Sequence, residues 1–246
     1  MRPLADRTHD PYAIRDAQSS AIQQYYDTVY HAGLSADASP SAHLRKLAER
    51  LAPWHGRTLL DVACGTGQWL AAAARLGANT AGVDISQRAI ERCAGLLPES
   101  DLRCGTAEAL PFGDSEFDFV SCLGALEHFL DPLQALREMM RVAKPAARFL
   151  LLVPNAGFLP RRLGLYAGTE QDSVREEVLF LREWEELFNR AGLKVERRWR
   201  DLHVLSFDWI FRGGAIRWPL RALQALALPC WPLTWQYQIY HLCSRA

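Results

Sequence analysis

The chain has 246 residues, 49% hydrophobic and 23% charged, with equal numbers of basic and acidic side chains. That composition suits one globular domain of generous size, and zero net charge lacks the basic excess that nucleic-acid binding usually needs. Six cysteines lie far apart with no C-x-x-C pair, so disulfides and a metal site are not expected and a reducing cytoplasm fits. The first residues carry no apolar signal core, and no run of about 18 uncharged apolar residues argues for a membrane span.

Taken in order, residues 1–17 are polar and mixed. Ile22, Tyr25, Tyr26, Val29 and Tyr30 recur at helical spacing and predict a helix over 19–30. Its tyrosines suit either plain packing or a lid whose phenols reach a ligand. A second helix is expected over 41–51, capped by Ser41. From residue 57 strand and helix patterns alternate, the signature of βαβ units and a parallel sheet. Strands are expected at 58–63, 79–84, 100–104, 117–123 and 148–153, with helices at 68–76, 86–97 and 131–142 between them. After residue 155 the rhythm changes to a Gly- and Arg-containing insertion over 156–175, an amphipathic helix from 181, a strand over 193–201 and a last strand over 236–243. Residues 209–235 are rich in Trp and Pro, with Arg212, Arg217 and Arg221 interspersed. Such a segment suits a lipophilic pocket wall, packing on the domain, or peripheral contact with a membrane. Arg161 and Arg162 offer charge for a phosphate or carboxylate, and His203 and Asp208 precede the apolar segment.

The fold class that follows is α/β: a doubly wound, mostly parallel, seven-stranded Rossmann-like sheet with a last antiparallel strand. Residues 1–52 are expected as a helical lid, 53–155 as a cofactor-binding core, and 156–246 as substrate-side insertions and last strands.

The chemistry centres on Leu59-Leu60-Asp61-Val62-Ala63-Cys64-Gly65-Thr66-Gly67. A strand ending in an acid and running through small residues into a helix lets backbone approach a ligand closely. The dinucleotide fingerprint G-x-G-x-x-G wants a third glycine where this chain has Leu70, which disfavours a nicotinamide oxidoreductase. Asp84 closes the next strand, where a carboxylate can take both ribose hydroxyls. A ribose-bearing ligand without a pyrophosphate fits this pair of acids.

These residues resemble the class I S-adenosylmethionine-dependent methyltransferases of the small-molecule subgroup. Asp61–Gly67 looks like their first motif and Gly82-Val83-Asp84-Ile85-Ser86 like the segment with the ribose-binding acid. Gly105–Phe112, Leu126-Glu127-His128-Phe129 and Arg141-Val142-Ala143-Lys144-Pro145 follow in the family's order. The resemblance covers about residues 57–155. It implies a cofactor site of Asp61, Ala63, Cys64, Gly65, Gly67, Asp84, Ile85, Thr106, Ala107, Glu108 and Leu123, with Tyr26 reaching in from the N-terminal helix. Asp61 would lie near the methionine ammonium, Ile85 on adenine, and the Ala107 backbone at the adenine edge. Thr106 stands where the family often has an aspartate, so Glu108 is the alternative partner for the adenine amino group.

The implied activity is methyl transfer from S-adenosylmethionine to a small acceptor by in-line displacement, on oxygen, nitrogen or carbon. An oxygen acceptor needs a general base, and His128 beside Glu127 is the candidate, although that pair could equally tie loops together. The string Glu127-His128-Phe129 also resembles that of cyclopropane-fatty-acid synthases, which keeps carbon acceptors in view. A non-catalytic cofactor-binding or scaffold protein is the alternative within the same fold. A nucleic-acid methyltransferase would resemble a family with Asn/Asp-Pro-Pro-aromatic after the fourth strand, where this chain reads Ser121-Cys122-Leu123-Gly124.

Overall fold

Phe149 to Val153 is five apolar residues in succession, a run that suits a parallel strand covered on both faces. In the computed structural model it lies in the middle of a seven-stranded sheet. The structure describes residues 20, 22–25, 27–28, 39–164, 177–202, 218 and 228–246. The strands are β1 (Thr58–Val62), β2 (Asn79–Asp84), β3 (Asp101–Cys104), β4 (Phe117–Leu123), β5 (Ala143–Pro154), β6 (Leu193–Arg200) and β7 (Gln238–Arg245). Their spatial order is β3-β2-β1-β4-β5-β7-β6, with β7 antiparallel to both neighbours and the other pairings parallel.

Period-two alternation divides the core between the two faces. Leu60, Val120, Phe149 and Leu151 point to one face, where they meet Leu136 and Met139 of α4 (Pro132–Val142) and Trp184 and Phe188 of α6 (Leu181–Arg190). Leu59, Phe119, Leu150 and Leu152 point to the other. There they meet α1 (Ala42–Leu51), α2 (Gln68–Ala74) and α3 (Gln87–Leu96) through Leu47, Leu70 and Ile90. Ser41 and Ser86 cap their helices as expected, accepting from the amides of Leu44 and Ala89, and the structure adds Asp131, which accepts from the Gln134 amide. Gly192, with φ +85°, ends α6.

Two strand starts differ from expectation by two residues or more. β5 starts at Ala143 rather than near 148, because Ala143 pairs with Phe117 across an irregularity and Lys144 is tied to Asp118 at 2.9 Å. The Lys-Pro pair thus sits inside a bulged strand instead of a loop. β7 starts two residues late because the buried Gln236 amide donates to the carbonyls of Leu228 and Trp231, which holds the chain in a turn. Of the 156–175 insertion, a short helix α5 (Leu159–Arg162) is described, with Arg161 and Arg162 exposed. Tyr26, Tyr30, His203, Asp208 and most of 209–235 lie outside the described residues. Among the described residues no helix is long and apolar enough to cross a membrane.

His241 is fully buried in β7, between Leu151 of β5 and Arg198 of β6. Its Nδ1 donates to the carbonyl of Ile239, while Nε2 finds no hydrogen-bond partner among the described residues. Burial, and then the nearby Arg198 charge, push its pKa down from 6.5 to about 3. In the unfolded chain it takes up a proton below pH 6.5, whereas the folded chain refuses one until about pH 3. Stability should therefore fall as pH drops through that window, by up to about 5 kcal/mol from this group. Urea unfolding between pH 7 and 4 should show a shallower loss for His241→Leu than for the parent chain.

Candidate active site

The parallel strands β1, β2 and β4 all end on one edge of the sheet, the edge where open α/β sheets take ligands. A cleft of about 530 Å³ runs along it, within the usual range for small-molecule sites. The strand order sets its length, from the ends of β2 and β3 past β1 and β4 to β5 and β7.

The β1–α2 turn forms the floor. Ala63, Gly65 and Gly67 adopt φ of +61°, +53° and +80°, a left-handed succession that puts backbone rather than side chains at the cleft. Ala63, Cys64, Gly65 and Thr66 line it, whereas Gly67 lies behind as the N-cap of α2. A Cβ on Gly67 would stand 2.3 Å from the Cys93 sulfur. The hydrogen bond with Cys93, and then burial, hold the Cys64 thiol well above its ordinary pKa, so it is a neutral wall group. Leu70, where a dinucleotide site would have glycine, packs over Gly82 of β2; a Cβ there would be 2.9 Å from Leu70 Cδ1. The small residue needed for close helix–strand contact is on the strand, not the helix.

Two carboxylates face this turn in unlike surroundings. Asp84 is pinned by two backbone donors, Gly65 N–H to Oδ2 at 2.8 Å and Ser86 N–H to Oδ1 at 2.9 Å. Asp61 is buried at the end of β1 and takes a 2.6 Å hydrogen bond from Ser121 of the neighbouring β4, whose hydroxyl in turn accepts from Trp69 Nε1 at 2.9 Å. Burial, opposed by the Ser121 bond and reinforced by the Asp84 charge, raises the Asp61 pKa to about 7. An acid so placed is suited to a cationic group, which would restore its charged form.

Ile85, Thr106, Ala107, Glu108, Leu123 and His128 also line the cleft. The Glu108 carboxylate is engaged by the amides of Leu130 and Asp131 at 3.0 and 3.2 Å, where it braces the start of α4. His128 closes a short 3₁₀ turn after β4. Glu127 beside it is buried and not among the lining residues, and its carbonyl accepts from the Glu177 amide. Ile22 reaches the wall from the N-terminal stretch, and Ser86 Oγ donates to Asp27 of the same stretch. Arg161 and Arg162 do not line the cleft.

Sequence reasoning missed the far end. There His43, Asp201 and Tyr240 line the cleft together, with His43 Nε2 3.0 Å from the Tyr240 hydroxyl and 3.2 Å from Asp201 Oδ1. They come from α1, the end of β6 and β7, and no motif links residues 197 positions apart. Ser121 and Trp69 were missed for the same reason, although the pairing of Asp61 with Ser121 across β1 and β4 brings them together.

Fold and site together define an acid-lined cleft at the carboxyl edge of a doubly wound sheet with a reversed last strand. Residues 60–151 match a family model described as a methyltransferase domain. The uncharacterized methyltransferase YcgJ of Bacillus subtilis is 32% identical over 167 residues, 63% of this chain and 65% of that one. The demethylmenaquinone methyltransferase of Renibacterium salmoninarum is 35% identical over 175 residues, 65% of this chain and 72% of that one. The Burkholderia thailandensis 1,6-didemethyltoxoflavin-N1-methyltransferase, solved with 1,6-didemethyltoxoflavin and S-adenosylhomocysteine, shares the fold with a TM-score of 0.61. It is 15% identical, over 99% of this chain and 94% of that one. The matched region spans 41% to 65% of the first four curated relatives, less than two thirds of each. The chain belongs to the class I S-adenosylmethionine-dependent methyltransferases.

Two substitutions test the turn by urea unfolding without ligand. Gly67→Ala should cost about 2 kcal/mol or more, through the Cys93 clash and the left-handed backbone. Ala63→Gly should add about 1 kcal/mol, since it relieves a left-handed residue without filling space.

Proposed function

We propose that the protein transfers the methyl group of S-adenosylmethionine to a small, largely apolar acceptor. The observation that carries this reading is one continuous cleft with an anchored acid pair at β1 and β2 and a polar cluster at its β7 end. Bound there, S-adenosylmethionine supplies a methyl already activated on a sulfonium, so the protein has to bind, align and exclude water.

In this reading Asp84 accepts from the two ribose hydroxyls, its oxygens held in place by the Gly65 and Ser86 amides. Asp61 faces the methionine ammonium, and the turn from Ala63 to Gly67 supplies the backbone surface between them. Ile85 packs on the adenine, and Thr106 and Ala107 offer its edge their backbone. Glu108, engaged with the start of α4, acts on that loop and leaves the adenine amino group to the backbone. Leu123 belongs to the floor below the methyl. An acceptor oxygen would need a base, and the lining residues include two imidazoles, His128 and His43.

Calorimetry with S-adenosylhomocysteine tests the cofactor half. Asp84→Ala should weaken binding about 100-fold, in line with losing hydrogen bonds to a charged group. Because a cation prefers ionised Asp61, affinity should climb about tenfold per pH unit below 7 and level off above it. Asp61→Asn should bind more weakly and without that slope; a slope retained in the variant would refute the role. For the chemistry, turnover of His128→Gln with labelled methyl donor decides whether that imidazole is the base. Unchanged turnover assigns the task elsewhere.

A further inference from the structure

The end of the cleft remote from Asp84 carries a cluster that cofactor binding does not use. Strand order runs β2-β1-β4-β5-β7-β6 from the acid pair outward, so Tyr240 on β7 and Asp201 after β6 lie beyond the strand ends assigned to the cofactor. The wall between is mainly apolar, with Ala125, Phe129, Leu152 and Leu44.

Within the cluster burial is graded. The Asp201 side chain is 2% exposed and the His43 side chain 31%. Asp201 is anchored through its own amide to the carbonyl of Gln238. The Tyr240 ring stacks on Trp199 at 5.4 Å, and the Arg50 guanidinium lies 4.3 Å from the centre of the same Trp199 ring. The hydroxyl is thereby held against the imidazole. A carboxylate only accepts, so His43 carries its proton on Nε2, facing Asp201, and its basic nitrogen is Nδ1. Burial, and then the Asp201 charge, raise the Tyr240 pKa, so its phenol stays neutral and is no rival as a base. A buried acid fixing the tautomer of a more open imidazole is the arrangement that readies histidine to take a proton.

We propose that His43, oriented by Asp201 and Tyr240, is the base for an acceptor that presents an acidic hydroxyl on an apolar ring, a phenol or hydroquinone. A neutral amine already carries a nucleophilic lone pair, whereas a hydroxyl must lose its proton to become a strong nucleophile, which is why the cluster points to a hydroxyl-bearing ring. The inference rests on the methyl-transfer reading. The acceptor's O–H bond breaks and its proton passes to the His43 ring. The oxygen's electron pair forms the new bond to the methyl carbon, while the pair of the broken sulfur–carbon bond stays on sulfur. His43 then releases the proton to water. His43 is the catalytic residue; Asp201 and Tyr240 are positioning residues.

The test uses the full chain saturated with S-adenosylhomocysteine and titrated with 4-nitrophenol, whose ionised form has its own visible absorption band. 4-Nitroanisole, the same ring without the proton, is the control. At a pH where the free phenol is protonated, the wild type should bind it with the phenolate band. His43→Gln and Asp201→Asn should lose that band about tenfold, a full pKa unit of the bound phenol. Both should bind 4-nitroanisole and S-adenosylhomocysteine as the wild type does. Phenol bound without the band, or an equal band in His43→Gln, would overturn the inference and leave the cofactor reading standing. So would a lowered unfolding temperature in His43→Gln with the band intact, which would make the cluster a tie between α1 and the sheet. No binding of S-adenosylhomocysteine would overturn the methyl-transfer reading and this inference with it.

Discussion

The burial of the Asp61 carboxyl at the end of β1 is the constraint around which the cleft is built. An acid taken out of water is costly unless it is neutralised or paired. Here the Ser121 hydroxyl, steered by the Trp69 indole, is its hydrogen-bond donor, so three elements meet at one oxygen atom. That chain joins β1, β4 and α2 and fixes where the turn beginning at Ala63 leaves the sheet. The left-handed backbone of the turn and the pinned Asp84 follow from the same geometry, since the Gly65 amide donates to Asp84.

The two acids of the site show how surroundings divide work between like groups. Asp84 accepts from two backbone amides, those of Gly65 and Ser86, which fix the direction of both its oxygens. Among the described residues Asp61 takes one side-chain hydrogen bond, from Ser121, and burial with a like charge nearby raises its pKa to about 7, which suits it to a cation. A ligand with vicinal hydroxyls and an ammonium matches both, which is the polarity of S-adenosylmethionine.

The reversed strand β7 gives the cleft its second half. An all-parallel sheet would bring only strand ends to this edge. Because β7 runs antiparallel between β5 and β6, its first residues lie beside the last residues of β5, with Tyr240 opposite Leu152 and Gln238 opposite Pro154. Tyr240 thereby reaches the same cleft as the glycine turn, next to the Asp201 that ends β6. Residues from the last tenth of the chain face residues from its first third across a cavity that neither could form alone.

The alternating strands and helices, the caps at Ser41 and Ser86, and the strand-end acids Asp61 and Asp84 were legible in the sequence. They are local: periodicity, capping and a strand-end motif act over fewer than about ten residues. Leu70 was legible too as a mark against a dinucleotide, though its partner Gly82 was not. What only the tertiary structure decided is which distant groups share a wall. Ser121 meets Asp61 because β1 pairs with β4, and His43 meets Asp201 and Tyr240 because β7 inserts between β5 and β6. Strand order is set by the packing of whole faces and not by any short segment, so the β1–β2 half of the cleft is written in the chain's motifs and the far half in its topology.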